Sequence, residues 1–325
     1  MHGPITGLVY AIYYPTLAAF GVLANLVAIV ILSRGKCGLS GCVGCYLTAM
    51  AVTDLLLVIT AVILNRISSI YLPLGPLSST PACSLSTVLI YMTRDSSVWL
   101  TVAFTLDRFI AICCLRLKGK HCTERTAAVV IGTVCTLCCL KNIPYYFTYE
   151  PLYIINNKPW FCNIKAIFYT SPAWRAFDWV DRVLTPCAPF FLILLLNALT
   201  VKHILAASRV RRRLRAPGAG EGGADPEMEN RRKSIVLLFT ISGTFILLWM
   251  TYVVNFLYVQ FRKGSYFVGF NFSDPRFILQ ESANMLQLLS CCTNTCIYVT
   301  TQSRFRQELK DGLRYLLNVV KVVKQ

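Results

Sequence analysis

Acidic residues are scarce in this chain. Its 325 residues hold 15 aspartates and glutamates against 32 lysines and arginines, and charged residues make up only 14% of the total. Water-soluble domains carry about 25%. At 55% hydrophobic, the chain has more apolar surface than a soluble core can hide, so lipid is the expected solvent. Histidine is scarcer still. His2, His121 and His203 lie in scattered segments, and no catalytic constellation is visible, so the chain does not read as an enzyme. Internal repeats are also missing, which argues against transporters built from duplicated halves. The net charge of +17 does not point to nucleic acid. The bases sit in short stretches between apolar runs, and no aromatic-and-basic surface module accompanies them.

Cysteine is abundant, at 15 residues, but most lie inside apolar runs, where a small soft side chain serves packing. Cys37, Cys42 and Cys45 form a tighter group. A metal site would need a second ligand cluster, and none is evident.

Seven long apolar segments cover roughly 7–33, 42–66, 81–114, 125–147, 177–205, 233–260 and 276–301. Each exceeds the ~20 residues that cross the hydrocarbon layer as a helix. Helices are required because lipid cannot satisfy free backbone groups. The expected fold is an all-α bundle of seven transmembrane helices. With the N-terminus outside, inner segments hold about 21 lysines and arginines and outer ones about 7, which orients the chain with its C-terminus in the cytoplasm. The Gly-, Pro- and acid-rich stretch 216–230 reads as a flexible linker. After Thr301, Phe305, Leu309, Leu313, Leu316 and Leu317 recur at helical spacing against Arg304, Arg306, Lys310 and Arg314. This predicts a basic amphipathic helix on the inner membrane surface. The organisation is therefore a short outer N-terminus (1–6), a seven-helix domain (7–301) and an inner helix with tail (302–325).

Five motifs lie in order along the helices. They are Gly21-Val22-Leu23-Ala24-Asn25 in the first and Leu47-Thr48-Ala49-Met50-Ala51-Val52-Thr53-Asp54 in the second. Leu106-Asp107-Arg108-Phe109 ends the third, Phe245 to Trp249 lies in the sixth, and Asn294-Thr295-Cys296-Ile297-Tyr298 ends the seventh. Together they resemble the rhodopsin-like G-protein-coupled receptors over nearly the whole chain. The resemblance implies a plasma-membrane receptor that binds an extracellular ligand and activates a heterotrimeric G protein. It gives Arg108, restrained by Asp107, the role of the arginine released toward the G protein. It makes Trp249 the toggle at the pocket floor and makes Asn294 and Tyr298 activation switches. It implies an allosteric sodium site at Asp54, Ser97, Ser290 and Asn294, and no other cofactor. The bland alternative for Asp54 is a protonated, hydrogen-bonded acid. The resemblance pairs Cys83 with Cys162, and Asn271-Phe272-Ser273 is a glycosylation sequon in the third outer loop.

Departures from the family pattern are equally visible. Thr251 and Thr295 stand where proline is usual, helix 4 lacks its tryptophan, and Asn197 replaces a tyrosine if Pro189 rather than Pro186 is the family's proline. Arg231 stands where some receptors place an acid that locks Arg108, so one restraint on the inactive state is missing and basal signalling is expected. Ile90 in place of an acid argues against an amine ligand, and Leu288 in place of a lysine argues against retinal. Ile143 to Tyr146, Leu237 to Ile241 and Ala283 to Leu286 resemble the G-protein coupled receptor 139 orphan group, whose members respond to tryptophan and phenylalanine. That group carries an arginine where this chain has Tyr252, which puts an unchanged ligand in doubt. The implied ligand is a peptide or aromatic amino-acid-like molecule. Its pocket is expected at Tyr91, Arg94, Asp95, Trp249, Tyr252 and Asn284. Arg94 and Asp95 suit a ligand carboxylate and ammonium. Alternatively they pair with helix neighbours or with Asp178, Asp181 or Arg182. Lys141 has no evident role beyond snorkelling. A non-signalling decoy or scaffold and, more remotely, a transporter are the competing readings.

Overall fold

The structure, a computed structural model, describes residues 7–214, 226–261 and 274–323. Among these, the side chains of 210–214, 226–231, 260, 316 and 319–323 are not described, so the side chain of Arg231 lies outside the described residues, as does the sequon at Asn271.

Seven long helices cross the molecule. α1 is Leu8–Ser33 and α2 is Gly41–Tyr71, whose middle, Val58–Ile67, winds as a π-helix. α3 is Thr80–Cys113, opened by Pro81 in its first turn. α4 is Glu124–Asn142, capped by Thr123, whose hydroxyl accepts from the Thr126 N–H. α5 runs through Pro172–Arg182, an irregular turn Val183–Cys187, and Ala188–Leu214. The irregularity falls at Thr185-Pro186, whereas Pro189 sits in the regular helix beyond it. α6 is Pro226–Phe261, and α7 is Pro275–Thr301 with an Asp274 cap. An eighth helix, α8 (Ser303–Val323), follows at once.

Six of these helices are apolar and long enough to span a bilayer by hydropathy alone. α7 has the length, 27 residues or about 40 Å. It is more polar because Glu281, Gln287 and Thr295 are turned into the bundle, where they are buried. Large apolar side chains such as Leu23, Val129, Leu195 and Leu247 are 55–67% exposed. In lipid that is their expected place. α5 and α6 extend past the apolar segments read from the sequence, because hydropathy marks the lipid-facing part of a helix and not its polar continuation.

Helices α1 and α7 are stitched by side chains. Asn25 donates to the Gly21 and Cys291 carbonyls at 3.0 and 2.9 Å, and Thr295 donates to the Ala24 carbonyl at 3.0 Å. Thr295, where a proline is usual, thus keeps its N–H and adds a grip on α1. A Cβ on Gly21 would lie 2.6 Å from Cys292 Sγ and 2.9 Å from Val58 Cγ2, so this close approach needs glycine. At the far end Phe305 of α8 is fully buried against the Tyr298 ring, and Arg306 caps the last α7 carbonyls, Val299 and Thr300, at 2.9 and 3.0 Å.

The long segment between α4 and α5 forms short strands: β1 (Tyr149–Glu150), β2 (Tyr153–Ile155), β3 (Lys158–Trp160) and β4 (Asn163–Ile164). β2 and β3 are antiparallel around Asn156 and Asn157, both at positive φ (52° and 59°), the conformation a tight two-residue hairpin turn demands. A Cys83–Cys162 disulfide ties this hairpin to the start of α3. The Phe161 N–H donates to the Ser78 carbonyl at 2.7 Å and the Thr80 hydroxyl to the Phe161 carbonyl at 2.7 Å. Replacing Cys162 by serine is therefore expected to loosen the hairpin and cut surface expression several-fold. Cell-surface immunodetection of the variant against wild type checks this, and unchanged expression with unchanged thermal stability would contradict it.

Candidate functional site

The polar residues of α3 form three stations along its length. Nearest the disulfide end, Arg94 Nε and Nη2 both donate to Asp95 Oδ1 at 3.2 Å, and the guanidinium lies over the Tyr91 ring at 4.5 Å. Asp95 is completely buried, and its other oxygen accepts from Asn142 at 2.8 Å and pairs with Lys141 at 2.6 Å, both on α4. Lys141 also pairs with Asp181 of α5, which sits 3.8 Å from Arg94. Two cations and two anions thus close a neutral cluster across α3, α4 and α5. Charges this deep persist only when paired. Beside it Arg182 donates to Asp178 at 2.8 Å. Arg94 thus pairs with its chain neighbour Asp95 and with Asp181, and Lys141 joins both acids.

At the middle station Asp54 is buried, with Ser97 donating to Oδ1 at 2.5 Å and Asn294 to Oδ2 at 2.7 Å. Ser290, expected beside them as a cation ligand, does something else. Its hydroxyl donates to the Gln287 carbonyl at 2.6 Å and accepts from the Trp249 indole at 3.2 Å. The Trp249 ring stacks on Phe245 at 5.2 Å and meets Tyr252 edge-on at 5.8 Å. A cavity of about 20 Å³ lies here, lined by Ser97, Thr101, Trp249, Ser290, Thr293 and Asn294 among others. That is room for one water or one small ion. Asp54 is not part of the cavity lining, and both its oxygens already accept from Ser97 and Asn294; the lining hydroxyls and the Asn294 amide oxygen are hard donors of the kind an alkali cation takes.

At the far station Arg108 is buried and forks onto Asp107, with Nε donating at 2.9 Å. Its Nη1 reaches the Ser234 hydroxyl of α6 at 3.5 Å. Asp107 Oδ1 also accepts from the Cys42 thiol at 3.2 Å, and the Asp107 carbonyl from Cys122 at 3.6 Å. Cys122 lies in the turn after a short helix, Leu115–His121. Burial and the Asp107 carboxylate push its thiol up to about 11, so it remains a neutral donor. Tyr298 is fully buried near this end, and its hydroxyl has no hydrogen-bond partner among the described residues.

Asn284 does not join the Arg94 cluster. It donates to Glu281 at 3.1 Å, and Glu281 pairs with Arg66 of α2 at 3.5 Å, whose guanidinium lies 5.6 Å from the Tyr14 ring centroid. Sequence reasoning missed Arg66 and Glu281. Both are charged residues at the ends of apolar runs, and that signal was available.

The chain is similar to known proteins over most of its length. The model of the 7 transmembrane receptor (rhodopsin family) matches residues 24–298. The chain belongs to that family. Galanin receptor type 2 of Homo sapiens is 23% identical over 287 residues, 88% of this receptor and 68% of the relative. C-C chemokine receptor type 1 of Macaca fascicularis is 23% identical over 301 residues, 92% and 77% of the two chains. FMRFamide receptor of Drosophila melanogaster is 23% identical over 305 residues, 88% of this receptor and 50% of the relative. The receptor is accordingly a multi-pass membrane protein and not an enzyme.

Proposed function

We propose that this receptor sits in the plasma membrane with the disulfide end outside and the Arg108 end in the cytoplasm, binds an extracellular peptide or aromatic amino-acid-like ligand, and activates a heterotrimeric G protein. The observation that carries the proposal is the Arg108 station, where the guanidinium is restrained by Asp107 and touches α6 through Ser234. Moving the end of α6 outward breaks that long contact and frees a surface for a partner. An agonist need only bind this outward state better than the closed one. The excess of bases at the Arg108 end supports the orientation. Relatives named for galanin, C-C chemokines and FMRFamide support a peptide.

The ligand pocket lies above Trp249, between Tyr91, Arg94 and Tyr252, with the Asn284 group on its α7 side. Asp95 shapes it from behind by holding Arg94. Replacing Arg94 by alanine is expected to weaken agonist potency at least about tenfold, or ~1.4 kcal/mol, through loss of a charge-assisted contact. Dose–response curves at matched surface expression test this, and unchanged potency would show that Arg94 is structural only. Second-messenger assays in transfected cells, run with short peptides and aromatic amino acids across G-protein classes, test the function as a whole. Silence in every class would favour a decoy.

Asp54, Ser97 and Asn294 would hold a sodium ion, whose positive charge favours the inactive packing. Exchanging sodium for N-methylglucamine is expected to raise basal nucleotide exchange in wild type and to do nothing in Asp54→Asn. Equal sodium dependence in the two would remove the ion from the proposal.

A further inference from the structure

Ser234 is the side chain of α6 that receives Arg108, at 3.5 Å from Nη1, and it is half-buried there. In the sequence it follows Arg231-Arg232-Lys233 directly. Arg232 and Lys233 are exposed. A serine behind a run of bases is what a basophilic protein kinase recognises, because its acidic groove reads the cations that precede the acceptor. The geometry adds a consequence. A hydroxyl is a weak, neutral acceptor for a guanidinium, whereas a phosphate there would carry about −1.5 to −2 charge and three strong acceptor oxygens. In the sequence Ser234 lies about one turn further along α6 than Arg231.

We propose that Ser234 is a phosphorylation site and that its phosphate forms a switchable ionic lock with Arg108. The Ser234 hydroxyl oxygen attacks the γ-phosphorus of a nucleoside triphosphate bound to the kinase. The bond from that phosphorus to the β,γ-bridging oxygen breaks, the nucleoside diphosphate leaves, and the hydroxyl proton passes to the kinase's base. The acceptor is reached when α6 swings away from α3, since closure buries it against Arg108. Once the phosphate is in place, closure gains a charge-assisted pair at Arg108, with Asp107 on the other side of the same guanidinium. Activity therefore exposes the residue whose modification ends it. The signalling consequence rests on the proposed coupling role of Arg108; the lock itself does not.

The test uses the full-length receptor purified in lipid nanodiscs and treated with cyclic-AMP-dependent protein kinase and ATP. Mass spectrometry should find phosphate on Ser234 and none at this position in Ser234→Ala. Phosphorylation, and to a lesser degree Ser234→Glu, should raise Tm by about 2 °C or more. The rise should vanish when Arg108 is also replaced by alanine. Basal nucleotide exchange should fall about tenfold, the effect of one charge-assisted hydrogen bond. An unmodified Ser234 beside a phosphorylated control peptide of the same sequence would overturn the site. A Tm gain that survives Arg108→Ala, or a rise in exchange on phosphorylation, would overturn the lock. If the Tm coupling holds while wild type drives no exchange on any heterotrimer, the lock stands and the G-protein proposal fails.

Discussion

Replacing Asp95 by alanine is expected to remove most of the receptor from the cell surface. Asp95 has no solvent exposure and neutralises Arg94 and Lys141 directly. Without it buried Arg94 and half-buried Lys141 share Asp181 alone, and Asn142 keeps only the Cys138 carbonyl as acceptor. Breaking a buried pair from one side costs about 3–5 kcal/mol. That is a large part of the roughly 5–15 kcal/mol that holds a folded domain. The pairing also predicts a rescue. Asp95→Ala combined with Lys141→Met leaves one cation and one anion, Arg94 and Asp181, and should recover at least half of the lost stability. The measurements are surface expression and Tm of the two single variants and the double, read as a double-mutant cycle. Strictly additive losses would mean that the two residues do not act as a pair, and the cluster would have to be redrawn.

Replacing Arg108 by alanine is expected to leave the receptor at the surface and to abolish agonist-driven nucleotide exchange, a fall of about 100-fold if the arginine carries the coupling between the two ends. Folding should tolerate the change better than the Asp95 change. Asp107 keeps the Cys42 thiol as a donor, and the station lies in the last two turns of α3. Arg108→Lys should fall in between, because it keeps the charge and loses the fork onto Asp107. Exchange assays on purified heterotrimers at matched receptor number decide the matter. Full activity in Arg108→Ala would end the role assigned to this residue.

The number of spans, and roughly where each lies, could be read from the sequence by itself. The reason is physical: lipid leaves the backbone no partner but its own, so each crossing writes a long apolar run into the chain. The bases between the runs support the proposed orientation, and five ordered motifs located Asp54, Arg108, Trp249 and Asn294. Tertiary structure alone decided how those residues are used, because the rotation of each helix about its axis is set by packing, which hydropathy does not encode. Arg94 has Asp95 as its neighbour in the chain, yet Lys141 and Asp181 come from two other helices to complete the cluster. Ser290 lies one turn of α7 before Asn294, yet its hydroxyl donates to the Gln287 carbonyl and accepts from Trp249 of α6 rather than meeting Asp54. Arg66 and Glu281 lie far apart in sequence and meet only because α2 and α7 pack side by side.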